Sequence, residues 1–379
     1  MPEAASKPAR DALTLFLSGD VMLGRGVDQI LPHPGNPRLY ERLAHDARDY
    51  VELAIRANGS IPRPVDWSWP WGDALQILTD ASCDARIINL ETSVTTSDDY
   101  VPGKAVHYRM NPANAQALTA ARPDVCVLAN NHVLDFGRRG LLETLDVLSA
   151  SGLATVGAGR SLREAQSPAI IPIPRTGGRV LVFAFGSPSS GIPYEWAATD
   201  DTPGVHVITT LSDPAADEIC RQVRELRQPG DVTVVSVHWG SNWGYHVPTD
   251  QVRFAHRLLD GGVHMVHGHS SHHPRPIEVY RGKLILYGCG DLIDDYEGIR
   301  GHDQYRHDLR LLYLPRLDPT SGELVELHMV ALQARQMRLH RASHRDAQWL
   351  TTVLDNVSRP FGSRIDLGSD GLLSLRGSS

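Results

Sequence analysis

Eight of the chain's 18 histidines fall within 36 residues: His238, His246, His256, His264, His267, His269, His272 and His273. An even spread would place fewer than two there. Imidazole is the commonest side-chain metal ligand, and its unperturbed pKa lies near neutrality, so a clustered excess points to metal chemistry, proton transfer or both. These histidines are punctuated by apolar, strand-like runs, which separates them from a His-rich surface loop. Carboxylate and amide donors occur upstream, each just after a short apolar run: Asp20 after Gly19, Asn89 and Glu91 after Ile88, Asn131 and His132 after Ala129. His238 follows Val237, and His267, His269 and His272 follow Val266. Oxygen and imidazole donors together suit Zn, Mn or Fe better than Ca or Mg alone. One or two such divalent ions are therefore the expected cofactor.

Residues so far apart need elements that bring strand ends together. Apolar spacing predicts strands over 13–17, 86–90, 124–129, 154–157, 180–185, 232–237 and 263–266. Helices are predicted over 39–57, 111–121, 141–150, 216–227 and 251–259. Arg281-Gly282 reads as the turn of a hairpin joining 276–280 to 284–287. Strands over 309–314 and 324–332, a helix over 347–356 and a terminal hairpin follow. Strands alternating with helices, with polar residues at the strands' C-terminal ends, describe an α/β (α+β) enzyme. Gly19, Gly240 and Gly268 would let the chain turn sharply off its strands toward a site. The segment 187–213, rich in Pro, Gly and Ser and carrying Trp196, is expected to form a mobile lid or rim, and Trp67, Trp69 and Trp71 to serve packing. The expected organisation is a disordered tail over 1–12, one main domain over 13–342, and a helix-and-hairpin extension over 343–379 packed on it.

The bulk properties set limits. Of the 379 residues, 41% are hydrophobic and 21% charged, which is ordinary for a globular protein and enough for a core without disulfides. A net charge of −7 and a pI near 6.2 exclude a protein that grips nucleic acid through its phosphates. Cys83, Cys126, Cys220 and Cys289 are far apart, with no C-x-x-C, and read as buried thiols of a reducing compartment. No apolar signal core appears before Leu13, and no stretch approaches the roughly 20 apolar residues of a membrane span. A cytoplasmic protein without a membrane span is expected. P-loop, G-x-S-x-G and dinucleotide motifs are missing from the sequence.

Several blocks carry a resemblance. They are Gly19-Asp20-Val21-Met22-Leu23-Gly24-Arg25, Asn89-Leu90-Glu91, Asn130-Asn131-His132-Val133-Leu134-Asp135-Phe136-Gly137, His238-Trp239-Gly240 and Gly268-His269-Ser270-Ser271-His272. The last continues into Ile277-Glu278-Val279-Tyr280-Arg281-Gly282-Lys283 and Tyr287-Gly288-Cys289-Gly290-Asp291. In this order, over about residues 13–295, they resemble the CapA family of poly-γ-glutamate capsule proteins. That family is similar to the calcineurin-like metallophosphoesterases, which implies a four-layer α-β-β-α sandwich with a metal centre at its strand ends.

Carried over residue by residue, the resemblance implies that Asp20 binds one metal and Glu91 stands in the place of the bridging carboxylate. Asn131 and His238 would bind the second metal, and His269 and His272 would complete the two sites. His132 would lie beside the metals as a proton donor or electrostatic stabiliser, with Asp135 either orienting it or capping the loop. Arg25 would hold an anionic group bidentately. Arg275, Tyr245 and His246, close to the ligand blocks, are further candidates for substrate contact. Two departures stand out: Met22 occupies a position where the phosphoesterases carry His, and Glu91 one where they carry Asp. The first site would then be weak, absent, or completed by another ligand such as His267. The implied function is a metal-dependent hydrolase that uses activated water on an anionic small molecule or γ-glutamyl polymer, cleaving a poly-γ-glutamate-type amide. A phosphoesterase acting on a small phosphoester, and a non-catalytic accessory protein of poly-γ-glutamate synthesis, are the alternatives. Many family members carry an N-terminal membrane anchor; none is expected here, which favours a soluble enzyme over an export role.

Overall fold

Strands buried on both faces send alternate residues into two apolar layers. Along Gly178–Gly186, Val180, Val182 and Ala184 join one hydrophobic cluster while Leu181, Phe183 and Phe185 join another. The second cluster also takes Ala216, Ile219, Cys220 and Val223 from the helix Asp213–Leu226, and Phe254, Ala255, Leu258 and Leu259 from the helix Thr249–Asp260. The i, i+3, i+4, i+7 spacing of the first and the i, i+1, i+4, i+5 spacing of the second each make one apolar stripe, and both stripes cover the same sheet face. The first cluster holds the opposite face of this sheet together with Leu13, Leu15, Leu17, Ile87 and Val125 of a second sheet.

The computed structural model describes residues 12–42 and 44–376. The expected tail therefore lies, except for Ala12, outside the described residues. Among them, the larger sheet has ten strands. Its main order is Ile365–Leu367, Leu372–Leu375, Leu324–Arg335, Leu309–Leu317, Leu13–Val21, Ala85–Leu90, Val125–Val127 and Ala154–Val156; Asp291–Ile293 pairs with Leu13–Val21, and Arg338–Arg341 with Leu324–Arg335. The smaller sheet has six, in the order Ile277–Tyr280, Lys283–Leu286, Met265–His269, Val232–His238, Gly178–Gly186 and Ala169–Ile173. Helix Gly137–Ala150 lies against the edge strand Ala154–Val156 of the larger sheet. The layers are thus helix, sheet, sheet, helix, as the sequence implies.

Both sheets have parallel centres. Leu13–Val21, Ala85–Leu90 and Val125–Val127 run parallel, as do Gly178–Gly186, Val232–His238 and Met265–His269. Their C-terminal ends collect at one edge of each sheet. The final segment joins the two sheets. Ser343 caps the helix His344–Ser358 by accepting from the Asp346 amide at 3.2 Å, and Ser358 Oγ at its end accepts from the Ile277 amide at 3.0 Å. The hairpin that follows extends the larger sheet.

The expected elements differ from the structure mainly where pattern is weak. The first strand continues past Leu17 to Val21 because Asp20 and Val21 pair with neighbours on both sides. The helix expected from Leu39 begins only at Arg48, since the preceding residues fold back through Leu39 N to His45 O and Ala47 N to Pro37 O; residue 43 lies outside the described residues. The helix expected over 111–121 is a 3-10 turn, Pro112–Asn114, and a single helical turn, Gln116–Thr119. Strands Ala169–Ile173, Asp291–Ile293 and Arg338–Arg341 were not anticipated. Trp71 is fully buried and donates to Ala117 O at 2.7 Å, a packing role with its polar end satisfied. Cys126, Cys220 and Cys289 are buried, Cys83 half-buried, and all four are free thiols. No helix of the described residues is long and apolar enough to cross a membrane.

Buried neutral histidines make this core acid-sensitive. His264 accepts from the Thr233 amide at 3.3 Å, and burial, aided by Arg227 and Lys283, pushes its pKa down to about 3. The unfolded value is near 6.5, so this residue's contribution is intact above pH 6.5 and is lost as pH falls toward 3. At pH 5 the loss amounts to about 2 kcal/mol. His264→Gln keeps an acceptor without the titration. Urea midpoints followed from pH 7 to pH 5 should fall less in this variant than in the parent by that amount; parallel curves would show that His264 titrates normally.

Candidate metal centre

The site forms where the C-terminal ends of the two sheets meet, the usual location in open α/β sheets. In register, Asp20 sits between Asn89 on one neighbouring strand and Asp291 on the other, while His238 sits opposite His269 in the smaller sheet. Gly19 makes the first of these arrangements possible. A Cβ there would lie 1.6 Å from the carbonyl oxygen of Gly290, so only glycine lets the strand carrying Asp291 approach. Asp20 Oδ1 accepts from Asn89 Nδ2 at 2.7 Å, but Oδ2 is buried without a partner. Ligand atoms of Asp20, His238 and His269 lie within 4.8 Å of one another, and so do those of Asp20, His272 and Asp291.

A row of hydrogen bonds fixes the imidazoles. The carbonyl of Ser18 can only accept, so His267 Nε2 donates to it at 2.8 Å. Burial pushes His267 down to about 4 and holds His238 and His269 well below 6.5, so all three rings are neutral near pH 7. A neutral His267 then accepts at Nδ1 from Ser236 Oγ at 3.0 Å, and Ser236 Oγ accepts from His269 Nε2 at 2.9 Å. His269 Nδ1 must accept from His238 Nδ1 at 2.8 Å. His238 Nε2 is left with a bare lone pair. It faces Asn131 Oδ1 at 3.0 Å and Glu91 Oε1 at 3.8 Å. In this orientation of the Asn131 amide three acceptor atoms meet there, a contact that a metal ion relieves, as does a proton or a turn of the amide that presents its Nδ2. Imidazole, amide and carboxylate donors beside the unpartnered Asp20 Oδ2 fit a borderline divalent ion.

This row corrects the place given to His267. Both of its nitrogens are engaged, one by the facing sheet and one by Ser236, so it ties the two sheets together and contributes no lone pair to the cluster. His272 does reach it: Nδ1 lies 3.0 Å from Asp291 Oδ1, and the Asp291 and Asp20 carboxylates raise its pKa against the opposing effect of burial. Burial raises the Asp20 carboxyl to about 7, helped by the charge of Asp291; burial, then Asp20 and Asp291, raise Glu91 well above its usual range. Ser270, between these histidines, is held at φ 108, a strained conformation for a residue other than glycine.

His132 lies beside Glu91, with Nε2 3.8 Å from Oε1. Its ring stacks on Tyr108, with centroids 3.8 Å apart, and its Nδ1 is 2.6 Å from Asp135 Oδ2. Asp135 also accepts from the Tyr108 amide at 2.6 Å and pairs with Lys104, so it orients the imidazole within a fixed frame. Lys104, which the sequence did not single out, also donates to the Asn131 carbonyl. Burial, then Lys104 and Arg25, keep His132 well below 6.5. It is therefore neutral; Nδ1 faces both Asp135 Oδ2 and, at 3.0 Å, Lys104 Nζ, and the shorter contact to the carboxylate places the proton on Nδ1 and leaves Nε2 able to take one.

The anticipated substrate contacts are placed differently. Arg25 is buried and already paired: Nε and Nη2 form a fork with Asp295 at 2.8 and 2.5 Å, and Nη1 reaches Glu41 at 2.9 Å. It supports the wall of the pocket and has no free fork for a substrate anion. Arg275 is buried too, bonded to the His246 carbonyl, with Nε and Nη1 unpartnered; burial lowers its pKa to about 10. Tyr245 packs edge-on against His273, and the His246 side chain is exposed. Neither lines the cavity of about 260 Å3 beside His272, whose walls include Tyr108, Trp243, Tyr296, Arg300 and His302. The segment 187–213, expected as a mobile lid or rim, is anchored to the smaller sheet. Ser187 N and Ser190 Oγ bond the His238 carbonyl, Ser189 Oγ accepts from Gly240 N, and Trp196 is buried.

The chain is similar to known proteins. The family model described as bacterial capsule synthesis protein PGA_cap matches residues 14–296, the stretch over which the sequence blocks occur. A probable polyglutamine synthesis accessory protein of Mycobacterium tuberculosis (strain ATCC 25618 / H37Rv) is 53% identical over 96% of both chains. The PGA biosynthesis protein CapA of Bacillus subtilis (strain 168) is 28% identical, over 77% of this chain and 66% of its own. Among solved structures, a 5'-nucleotidase precursor from Thermus thermophilus superposes with a TM-score of 0.48 at 14% identity, covering 91% of this chain and 58% of that one.

Proposed function

Because the chain belongs to the bacterial capsule synthesis PGA_cap family, we propose that it is a metal-dependent hydrolase acting on an anionic γ-glutamyl amide of the poly-γ-glutamate type. The observation that carries this reading is the convergence of acceptors without donors: Asp20 Oδ2, His238 Nε2, Asn131 Oδ1 and Glu91 Oε1. Asp20, Glu91, Asn131 and His238, with His272 beside them, would hold one or two ions of Mn, Zn or Fe, and His269 would join them only by giving up the hydrogen bond its Nδ1 accepts from His238. Such an ion supplies Lewis acidity, polarising the carbonyl under attack and making water nucleophilic near neutral pH. The chain's own groups do the rest. His132, oriented by Asp135, offers Nε2 to accept a proton from the attacking water and to return it to the leaving amine. Lys104 holds Asp135 and the Asn131 carbonyl in place together. Arg300, exposed at the aromatic cavity, is free in position to meet a substrate carboxylate.

Purified protein supplied with Mn2+ is expected to shorten poly-γ-glutamate, releasing glutamate or short oligomers, and His238→Ala to abolish the release. Turnover of p-nitrophenyl phosphate with the polymer left intact would assign the same residues to phosphoester chemistry. The relatives' names favour a second reading, a non-catalytic accessory role in polyglutamate synthesis. In that case neither substrate is turned over and no ion is bound.

A further inference from the structure

The two strands that flank Leu13–Val21 at its C-terminal end differ in what they bring to the site. Ala85–Leu90 brings an amide, Asn89, whose donor satisfies Asp20 Oδ1. Asp291–Ile293 brings a second carboxylate, in register with Asp20, and no donor passes between the two. Asp20 is 1% exposed and its Oδ2 has no partner, so no donor reaches that oxygen from the protein. His272 completes the group: its Nε2 accepts from Asn242 Nδ2 at 3.0 Å, which leaves Nδ1, 3.0 and 3.1 Å from the two Asp291 oxygens, as the nitrogen that would exchange its proton for an ion. Residue 22 adds nothing polar: Met22 is buried, and its amide is bonded to the Ile293 carbonyl.

We propose that Asp291, with Asp20 and His272, directly ligates a divalent cation, forming an oxygen-rich subsite next to the one centred on His238. This rests on the metal-centre reading above and adds a ligand to it. Its alternative is that Asp291 only orients His272 through Nδ1, as carboxylates behind metal-bound histidines do. The donor set decides for a ligand. An orienting carboxylate would not need to lie beside a second, unpartnered carboxylate oxygen, whereas two carboxylates and one imidazole around a gap under 4.8 Å across match a hard ion. The subsite should therefore favour Mn2+ over softer ions, while the His238 side, with its imidazole and amide donors, is the more tolerant.

Asp291→Asn separates the two roles. The amide oxygen can still accept from His272 Nδ1, so an orienting function survives, but the ligand charge is lost. Chelator-treated full-length protein, its Asp291→Asn variant and its His238→Ala variant would be dialysed to equilibrium against Mn2+. Bound metal would be counted and its electron paramagnetic resonance spectrum recorded, with circular dichroism confirming the fold. The expected result is one Mn2+ fewer in Asp291→Asn than in the parent, and loss of any coupling between neighbouring ions. Unchanged stoichiometry, with affinity within about ten-fold of the parent, overturns the proposal and leaves the function intact, since that is the scale of an orienting residue. A parent chain that binds no Mn2+ overturns both. If Asp291→Asn fails the circular dichroism check, Asp291→Glu serves the same comparison: a ligand role predicts retained stoichiometry with altered affinity, and unaltered affinity counts against it.

Discussion

His132→Ala is expected to lower kcat on the γ-glutamyl substrate by about 100- to 10,000-fold, the range for removal of a general acid or base, with the amount of bound metal unchanged. The expectation follows from geometry. The imidazole is stacked on Tyr108 and held by Asp135 at 2.6 Å, so its Nε2 has one direction in which to act, toward Glu91 and the cluster. Asp135→Asn should reproduce part of the loss, about 10- to 100-fold, because the amide can no longer hold Nδ1 as a donor in the same way. Steady-state kinetics and metal analysis on the same preparations test the pair. A His132→Ala enzyme within three-fold of the parent would remove His132 from the chemistry, and a loss of activity that tracks loss of metal would recast it as part of the ion's cradle.

Asp295→Ala should destabilise the fold by about 3–5 kcal/mol, the usual consequence of leaving a buried charge without its partner. Arg25 and Asp295 are both almost fully enclosed, and one Asp295 oxygen also accepts from the Gly26 amide at 2.8 Å. With the carboxylate gone, a guanidinium sandwiched near Tyr50 and Tyr108 keeps only Glu41. Replacing the whole group with Arg25→Met, Glu41→Gln and Asp295→Leu together should recover most of the loss, because a buried ion pair exchanged for apolar packing is often neutral. Urea unfolding measures both. If Asp295→Ala unfolds at the parent's midpoint while its KM for an anionic substrate rises, Arg25 belongs to the substrate after all.

These cases show what a sequence exposes and what it hides. Asp20, Glu91, Asn131, His132, His238, His269 and His272 were legible because each ends an apolar run, and parallel strands that share a direction share an end. Asp291 stands out in the sequence as the end of a block, but its pairing with Asp20 was hidden because its strand is three residues long, below the length at which alternation can be seen. Lys104 lies in a polar loop with no periodicity at all, and nothing local announces its contact with Asp135. Arg25 was misread for a different reason: its neutralising partner is 270 residues away, so locally it looks like an unpaired cation. His267 was misread although a clue was present. Within Met265–His269 it shares a face with Met265, which packs between the sheets, so alternation already pointed it inward.

The pairing of Asp20 with Asp291 has a consequence for the life of the chain. One residue is made at the start of synthesis and the other after most of the domain has left the ribosome, yet they are neighbours in the finished sheet. A nascent or truncated chain that stops short of residue 293 therefore cannot assemble the pocket, however well its first strands have formed. On the proposed reading, ion uptake would be a late event, open only to chains made past residue 293. It also acts on the whole domain: at 100 times the dissociation constant, a bound ion adds about 2.7 kcal/mol to the folded state. Without the ion the folded state would be less stable by that amount, and a larger fraction of the chain would be open to proteolysis.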